Sequence, residues 1–276
     1  MTTRGRRRWL PEAPPAVPLA AVSLPGMGLF VWPFVVPGGV PDAPALALSL
    51  AAALGLLLVE LGARRLDARR LALLAVLAAV DTGLRLAVVT GIGGFSPIFF
   101  LVLCSGFVLG PSYGFLVGAD SILVSALGEG GVGPWLPYQV FATGWVGAWA
   151  GLAGLAWGRA VGMGRPGAGG AGRQVSRGAV LVLAVVGLLS GWAFGALMDV
   201  QTWVAGYGGN PTLGWSPGLS PAGALSHFAR FYLVTSLVYD SFRAVGNLLM
   251  VLLLGPPVLA ALSRLRSRLS FEVVKE

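Results

Sequence analysis

The chain has 276 residues, of which 56% are hydrophobic and 11% are charged, and its mean hydropathy is +0.81. Soluble domains carry about 25% charged residues, so this composition excludes an ordinary soluble protein and favours one embedded in the lipid bilayer. The formal net charge of +8 comes mainly from arginines at the ends of apolar runs, and we therefore expect no binding to nucleic acid.

Eight apolar runs follow one another along the chain. Crossing the hydrocarbon core of a bilayer takes about 20 apolar residues, and most of the runs approach or exceed that length. We therefore predict an all-α, polytopic membrane helix bundle of about eight transmembrane helices. The runs cover residues 15–36, 43–61, 71–89, 97–109, 112–127, 138–157, 178–200 and 227–262.

Two of these runs contain helix-breaking residues. Pro18, Pro25 and Pro33 predict that the first helix is broken or kinked, because proline removes a backbone donor and clashes with the preceding turn. The last run is too long for one straight span, and we expect residues 255–257, Gly-Pro-Pro, to bend or end it. An uncharged aromatic loop is predicted before it, over residues 201–226.

The basic residues predict the orientation of the chain. Of the nineteen Lys and Arg residues, only Arg85, Arg230 and Arg243 lie within or at the ends of runs, and the other sixteen fall in segments on one side of an eight-span alternation. Since positive charge is retained in the cytoplasm, both termini are predicted to be cytoplasmic in a multi-pass protein of the plasma membrane. Loops 90–96, 128–137 and 201–226 are then predicted to face outward.

Glycines recur at helical spacing between residues 106 and 158. Residues three and four apart share one helix face, so each series forms a stripe without side chains, which permits close helix packing in lipid. The first series is Gly106, Gly110, Gly114 and Gly118, and the second is Gly144, Gly147, Gly151, Gly154 and Gly158.

Several ionisable or polar residues lie inside the apolar runs, where they are costly and usually face the bundle interior. Asp81 and Arg85 are four apart and Asp240 and Arg243 three apart, so each pair can neutralise itself, and such pairs either hold helices together or bind a ligand. Near the outward loops we favour ligand contact, with Asp199 either binding ligand or neutralising Arg230. The candidate ligand-binding residues are Trp135, Gln139, Asp199, Trp203, Arg230 and Asp240.

No known catalytic or phosphate-binding motif occurs in the sequence, so we do not expect an enzyme. Cys104 and His227 are the single cysteine and the single histidine, and together they cannot form the usual Cys/His zinc site. Neither a metal nor a cofactor is predicted.

Four short motifs resemble those of the substrate-specific (S) components of energy-coupling factor (ECF) transporters, particularly the actinobacterial type with two extra N-terminal helices. The resemblance covers about residues 67–264. The motifs are the small-residue step Ala75, Ala79 and Gly83; the turn 110–114, Gly-Pro-Ser-Tyr-Gly; the segment 131–139, ending in Gly-Pro-Trp-Leu-Pro-Tyr-Gln, with Gly144 and Gly147; and Thr235 to Asp240 with Arg243.

The resemblance implies a division of the chain and a set of partners. Residues 1–66 would hold a basic segment and two extra transmembrane helices, and residues 67–276 a six-helix substrate-binding core with a basic cytoplasmic tail. S components capture a vitamin or similar micronutrient at their outward face. Through the small-residue face of the first core helix, here Ala75, Ala79 and Gly83, they associate with a transmembrane coupling subunit that carries two ABC ATPases.

The identity of the substrate stays open. An outward aromatic loop with a neutral polar rim suits a large, partly apolar ligand better than a compact polyanion. The resemblance to actinobacterial cobalamin-type S components implies a corrinoid as the first hypothesis, with riboflavin, thiamine or a queuosine precursor as alternatives. A structural or accessory membrane subunit without a ligand is the competing function. An inverted-repeat secondary transporter is a third possibility, but the sequence contains no internal repeat to support it.

Overall fold

The computed structural model describes residues 16–36, 47, 51, 55, 68–87, 97–129, 131–161 and 175–269. Throughout these residues the regular structure is helical, without a strand, and the all-α prediction is confirmed there. Most of the predicted second run, all but residues 47, 51 and 55, lies outside the described residues, as do loop 90–96 and most of the basic linker after residue 158. The helices are α1 (Ala16–Val35), α2 (Ala68–Ala87), α3 (Ile98–Leu109), α4 (Pro111–Glu129), α5 (Leu136–Ala160), α6 (Arg177–Gly206), α7 (Pro221–Thr235) and α8 (Leu237–Leu269).

These helices do not correspond one to one with the eight predicted spans. Among the described residues, four segments are long and apolar enough to cross a membrane, which is compatible with a membrane protein. By contrast α3 has 12 residues, about 18 Å at 1.5 Å per residue, and is shorter than the roughly 30 Å hydrocarbon core. The four segments are Pro18–Val35, Leu136–Ala160, Arg177–Gly206 and Leu237–Leu269.

Helix α1 does not break at its prolines. It runs continuously from Ala16 to Val35 with Pro25 and Pro33 inside it, so the prolines do not end the helix, and the kink stays a prediction. Each proline still removes one backbone donor from the helix ladder.

The last predicted run is interrupted at a different place from the one expected. Ser236 separates α7 from α8, whereas α8 continues through Pro256 and Pro257. The hydroxyl of Thr235 donates to the carbonyl of Phe231 at 2.7 Å and contacts the Ser236 hydroxyl at 2.9 Å. Ser and Thr side chains that bond to nearby backbone compete with regular helix, and two of them stand together here.

The aromatic loop is shorter than the predicted 201–226, because helices extend into it from both sides. Helix α6 continues to Gly206, and α7 already begins at Pro221. The hydroxyl of Ser220 accepts the backbone N–H of Gly223 at 3.1 Å, so serine caps the helix and proline occupies its first turn, as is common at helix N-termini.

The glycine stripes form the centre of the bundle, as predicted. Helix α5 packs extensively on α4 and α3. A Cβ added to Gly147 would collide with the carbonyl of Gly114, and one added to Gly154 would collide with the carbonyl of Phe107. Gly110 has a different role: with φ of 106° it forms the one-residue turn between α3 and α4, a conformation that favours glycine.

Long-range hydrogen bonds join helix ends at both ends of the bundle. At one end, Arg266 near the C-terminus of α8 donates to the carbonyl of Val108 near the end of α3, at 2.6 Å. At the other end, the Trp215 indole donates to the carbonyl of Pro33 near the end of α1, at 3.0 Å. The first contact joins segments predicted to be cytoplasmic and the second joins segments predicted to face outward. Which end faces the cytoplasm stays a prediction.

Candidate functional site

The polar stripe of α8 lies against the glycine face of α6. The side-chain amide of Asn247 donates to the carbonyl of Gly187 at 3.2 Å, and glycine at each facing position lets the two backbones approach closely. The spacing of Ser236, Asp240, Arg243 and Asn247 predicts the polar stripe, and that of Gly187, Gly191 and Gly195, continued by Asp199, predicts the glycine face. Neither pattern predicts that the two meet. The facing pairs are Gly187 with Asn247, Gly191 with Ala244, and Gly195 with the Asp240 carboxylate.

The predicted Asp240–Arg243 ion pair is present. Asp240 is 2% exposed, and one of its carboxylate oxygens accepts a hydrogen bond from the Arg243 guanidinium. The guanidinium also lies over the rings of Phe194 and Tyr239, at 5.3 and 5.2 Å from their centroids. Ion pairing together with two cation–π contacts stabilises a buried charge that would otherwise be costly.

A second carboxylate lies beside this ion pair. Asp199 of α6 interacts electrostatically with both Asp240 and Arg243, and it lies next to Ser236 at the junction of α7 and α8. The Tyr232 side chain of α7 also interacts with Asp240. We call these five residues the polar cluster.

The polar cluster has an unbalanced set of charges, since it holds two carboxylates and one guanidinium. Within the described part of the chain, one buried carboxylate oxygen of Asp199 and one of Asp240 have no hydrogen-bond partner. No Asp199–Arg230 ion pair occurs among the described residues, where Arg230 is exposed, so Asp199 does not neutralise Arg230. Groups with unused hydrogen-bonding capacity in a buried site are where a ligand or a proton can be held.

The second predicted pair, Asp81 and Arg85, interacts electrostatically. The Arg85 guanidinium donates to the Ser125 hydroxyl at 2.7 Å, and the buried oxygens of Asp81 have no hydrogen-bond partner in the described part of the chain. The nearby Ser121 hydroxyl donates to the carbonyl of Val117. The two charges can therefore offset each other without a hydrogen bond between them.

An aromatic cluster lies one helical turn from the polar cluster. Trp203 is four residues after Asp199 on α6, and Phe228 is four residues before Tyr232 on α7, where residues four apart share a face. The Phe228 and Tyr232 rings are 6.4 Å apart and nearly parallel, which joins the two clusters directly. We call the group the outer aromatic cluster; it comprises Trp203, Trp215, Phe231 and Phe228 with Trp32 and Phe34 from α1.

Trp203 is enclosed within this cluster. Its side chain is 0% exposed, and its indole N–H donates to the carbonyl of Leu213 at 2.6 Å. The ring of Phe34 stacks on it at 5.7 Å with an angle of 22°, and the ring of Phe228 approaches edge-on at 5.3 Å. The indole N–H is the single polar group of a tryptophan side chain, so Trp203 has no hydrogen-bonding group left free.

The structure brings some of the predicted site residues together but not all of them. Asp199, Asp240 and Trp203 belong to the adjoining clusters. Trp135, by contrast, is exposed and folds back on its own loop, where its indole donates to the carbonyl of Gly131 at 3.2 Å. Gln139 is half-buried in the first turn of α5.

Three residues of this region were missed by sequence reasoning: Phe34, Phe228 and Tyr232. The spacing of the last two on α7 is a signal that could have found them, because they face the same way as Thr235 near the helix end. Phe34 gave no such signal, since nothing in the sequence indicates that α1 docks against α6 and α7.

The proposed partner surface lies on α2, away from these clusters. Ala75, Ala79 and Gly83 are all exposed, and a Cβ added to Gly83 would meet no described atom within 4 Å. The opposite face of the helix is buried in the bundle through Leu74 and Ala78. Helix α2 therefore has one face packed inside the bundle and one small-residue face that no described residue covers.

Compared with protein-family models, with curated proteins and with solved structures, the chain gives no significant match.

Proposed function

We propose that this protein is the substrate-binding S component of an ECF-type ABC importer, a multi-pass protein of the plasma membrane with both termini in the cytoplasm. It captures a vitamin or a related micronutrient at its outward face for ATP-driven uptake with a coupling subunit and its ATPases. The motif resemblance supports this assignment, together with an all-helical bundle that contains four helices able to cross a membrane.

The observation that carries the proposal is the uncovered small-residue face of α2. Ala75, Ala79 and Gly83 recur every fourth residue, so they form a continuous smooth strip on one side of the helix. Small residues are what membrane helices use where two backbones must approach closely. A lipid-facing surface has no need of such a strip, whereas a docking surface for a coupling helix does.

The test is co-purification after coexpression with the coupling subunit and both ATPases of the same organism. Ala79→Leu adds bulk at an exposed position, so it should abolish association with the coupling subunit without changing the fold. Val185→Leu is the matched control, because Val185 is an exposed position on α6. If the complex forms as fully with Ala79→Leu as with the control variant, the assignment of the docking face is wrong.

The proposed substrate site combines the outward residues predicted from the sequence with the two clusters. Ligand pockets are mostly apolar with a few placed polar groups, and the outer aromatic cluster beside Asp199 and Asp240 has that composition. Trp135, Gln139 and Arg230 would form the rim. A cobalamin-type corrinoid remains the first hypothesis for the substrate.

An accessory subunit without a ligand is the second candidate, and one observation favours it. Trp203 is fully buried with its N–H satisfied, and the Asp240–Arg243 pair is internal, as expected for residues that only hold helices together. Mass spectrometry of small molecules that co-purify with the detergent-solubilised protein separates the two functions. A stoichiometric vitamin-like molecule supports the importer, and its absence after expression in vitamin-replete medium supports the accessory role.

A further inference from the structure

Trp203 can offer a ligand only one kind of interaction. Its indole N–H donates to the carbonyl of Leu213 at 2.6 Å, and breaking that bond would leave the fully buried indole N–H without an acceptor, which is costly. Its ring face, however, makes a contact that another aromatic ring could replace. Recognition by Trp203 would therefore be through ring stacking rather than hydrogen bonding.

The described structure already places a ring on Trp203. Phe34 lies nearly parallel to it, with 22° between the planes and 5.7 Å between the centroids, an offset-stacked geometry that aromatic pairs prefer. Phe34 belongs to α1, which is outside the six-helix core to which the family resemblance extends. It is half-buried, whereas Trp203 is fully buried.

The helix that carries Phe34 is only partly embedded. Leu24, Met27, Val31 and Val35 of α1 are exposed, so one side of the helix makes no contact with the described core. Pro33, immediately before Phe34, donates no backbone hydrogen bond. Displacing the last turn of α1 breaks the ring contacts of Trp32 and Phe34 and the hydrogen bond from the Trp215 indole to the carbonyl of Pro33, but it leaves Trp203 bonded to Leu213 and in contact with Phe228.

We propose that Phe34 occupies the position of a planar aromatic ring of the substrate, and that such a ring stacks on Trp203 by displacing Phe34 and the last turn of α1. This inference rests on the proposed function, and it names the substrate class as a molecule with a planar aromatic ring. The polar cluster, one helical turn away, then faces the polar part of the same molecule through Asp199 and Tyr232. The extra N-terminal helix thereby becomes a lid of the substrate site.

The test is equilibrium binding to the full chain in detergent, with five probes. Cyanocobalamin, riboflavin and thiamine each carry a planar aromatic ring, whereas biotin and pantothenate carry none. The proposal expects at least one aromatic probe to bind and neither non-aromatic probe to do so. Phe34→Ala removes the competing ring and should tighten binding of that probe about three- to tenfold, the strength of one aromatic pair.

Phe30→Ala is the matched control, because Phe30 is also on α1 and contacts the rings of Tyr138 and Trp145 rather than Trp203. It loosens α1 but leaves the Phe34 ring on Trp203, so any tightening of binding should be smaller than in the Phe34 variants. Phe34→Leu removes the ring but keeps most of the apolar volume, so it can replace the alanine variant if that variant does not fold. Size-exclusion elution and thermal unfolding report the fold of each variant.

Each outcome bears on the proposal. Tighter binding in both Phe34 variants than in Phe30→Ala supports it. Unchanged or weaker binding in the Phe34 variants overturns it while the importer function stands. Binding of biotin or pantothenate alone, or of none of the five probes, overturns the proposed stacking of these aromatic vitamins on Trp203, while the importer function is decided separately by the co-purification tests.

Discussion

Replacing Gly147 with alanine tests the contact on which the centre of the bundle depends. An added Cβ would collide with the backbone carbonyl of Gly114 on α4. A backbone group cannot rotate away as a side chain can, so α4 and α5 must separate. Such overpacking costs about 1–3 kcal/mol, whereas the higher helix propensity of alanine returns about 1 kcal/mol.

Gly158→Ala is the control that isolates the collision. Gly158 is on the same helix, and a Cβ there would meet no described atom within 4 Å. It gains the same helix propensity without the clash, so the two variants should differ by about 1–3 kcal/mol. For a chain of this size that is a difference of roughly 2–12 °C in Tm, measured by thermal unfolding in one detergent. Equal Tm values for the two variants would refute the close glycine contact.

Three further predictions concern sidedness, the ion pair and the substrate rim. A cysteine at Ser216 should react with an impermeant thiol reagent in intact cells, and one at Gly170 only after permeabilisation. Labelling of the Gly170 variant from outside would contradict the predicted orientation of the chain. Asp240→Asn should destabilise the fold by up to about 3–5 kcal/mol, because the Arg243 guanidinium loses its hydrogen-bonded carboxylate and keeps only its electrostatic interaction with Asp199. Adding Arg243→Gln should restore part of the loss in thermal unfolding, and a double variant no more stable than the single one would contradict the pairing. Gln139→Ala should weaken binding of the co-purifying vitamin at least about tenfold by calorimetry, and unchanged affinity would place the site elsewhere.

The burial of Trp203 changes which substitution can test its role. From the sequence alone, Trp203→Ala would be expected to weaken ligand binding without unfolding the protein. Because the side chain is 0% exposed, removing it leaves a large cavity, which costs about 3–5 kcal/mol. Trp203→Phe keeps an aromatic face and most of the volume, so it separates ligand contact from stability.

Glycine spacing was the feature that predicted structure best. A repeat of three and four residues defines one helix face regardless of the partner, and Gly114 and Gly147 meet as that pattern requires. The interruption of the last run was not predictable in the same way. Pro256 and Pro257 are strong local helix-breaking signals, yet α8 continues through them. The run is interrupted at Ser236 instead, where side-chain hydroxyl groups compete for backbone hydrogen bonds.

The candidate site was predictable as two separate stripes but not as a site. The sequence shows Asp199 continuing a glycine face and Asp240 within a polar stripe, about forty residues apart. That the two faces meet depends on how α6 and α8 pack, which periodicity within one helix does not encode. The contact between Phe34 and Trp203 was harder still to predict, because the two residues are well over a hundred positions apart in the sequence.

The short helix α3 determines which parts of the bundle respond to membrane thickness. Nine of its 12 residues are buried and the other three, Leu101, Phe107 and Leu109, are half-buried, so α3 is largely enclosed by other helices and its length creates little hydrophobic mismatch. The exposed apolar residues lie largely on the long helices, such as Leu181 on α6 and Leu253 on α8. A thinner or thicker bilayer is accommodated by tilting such helices. We therefore expect vesicles of different acyl-chain length to change the tilt of the whole protein while leaving the packing around α3 unchanged.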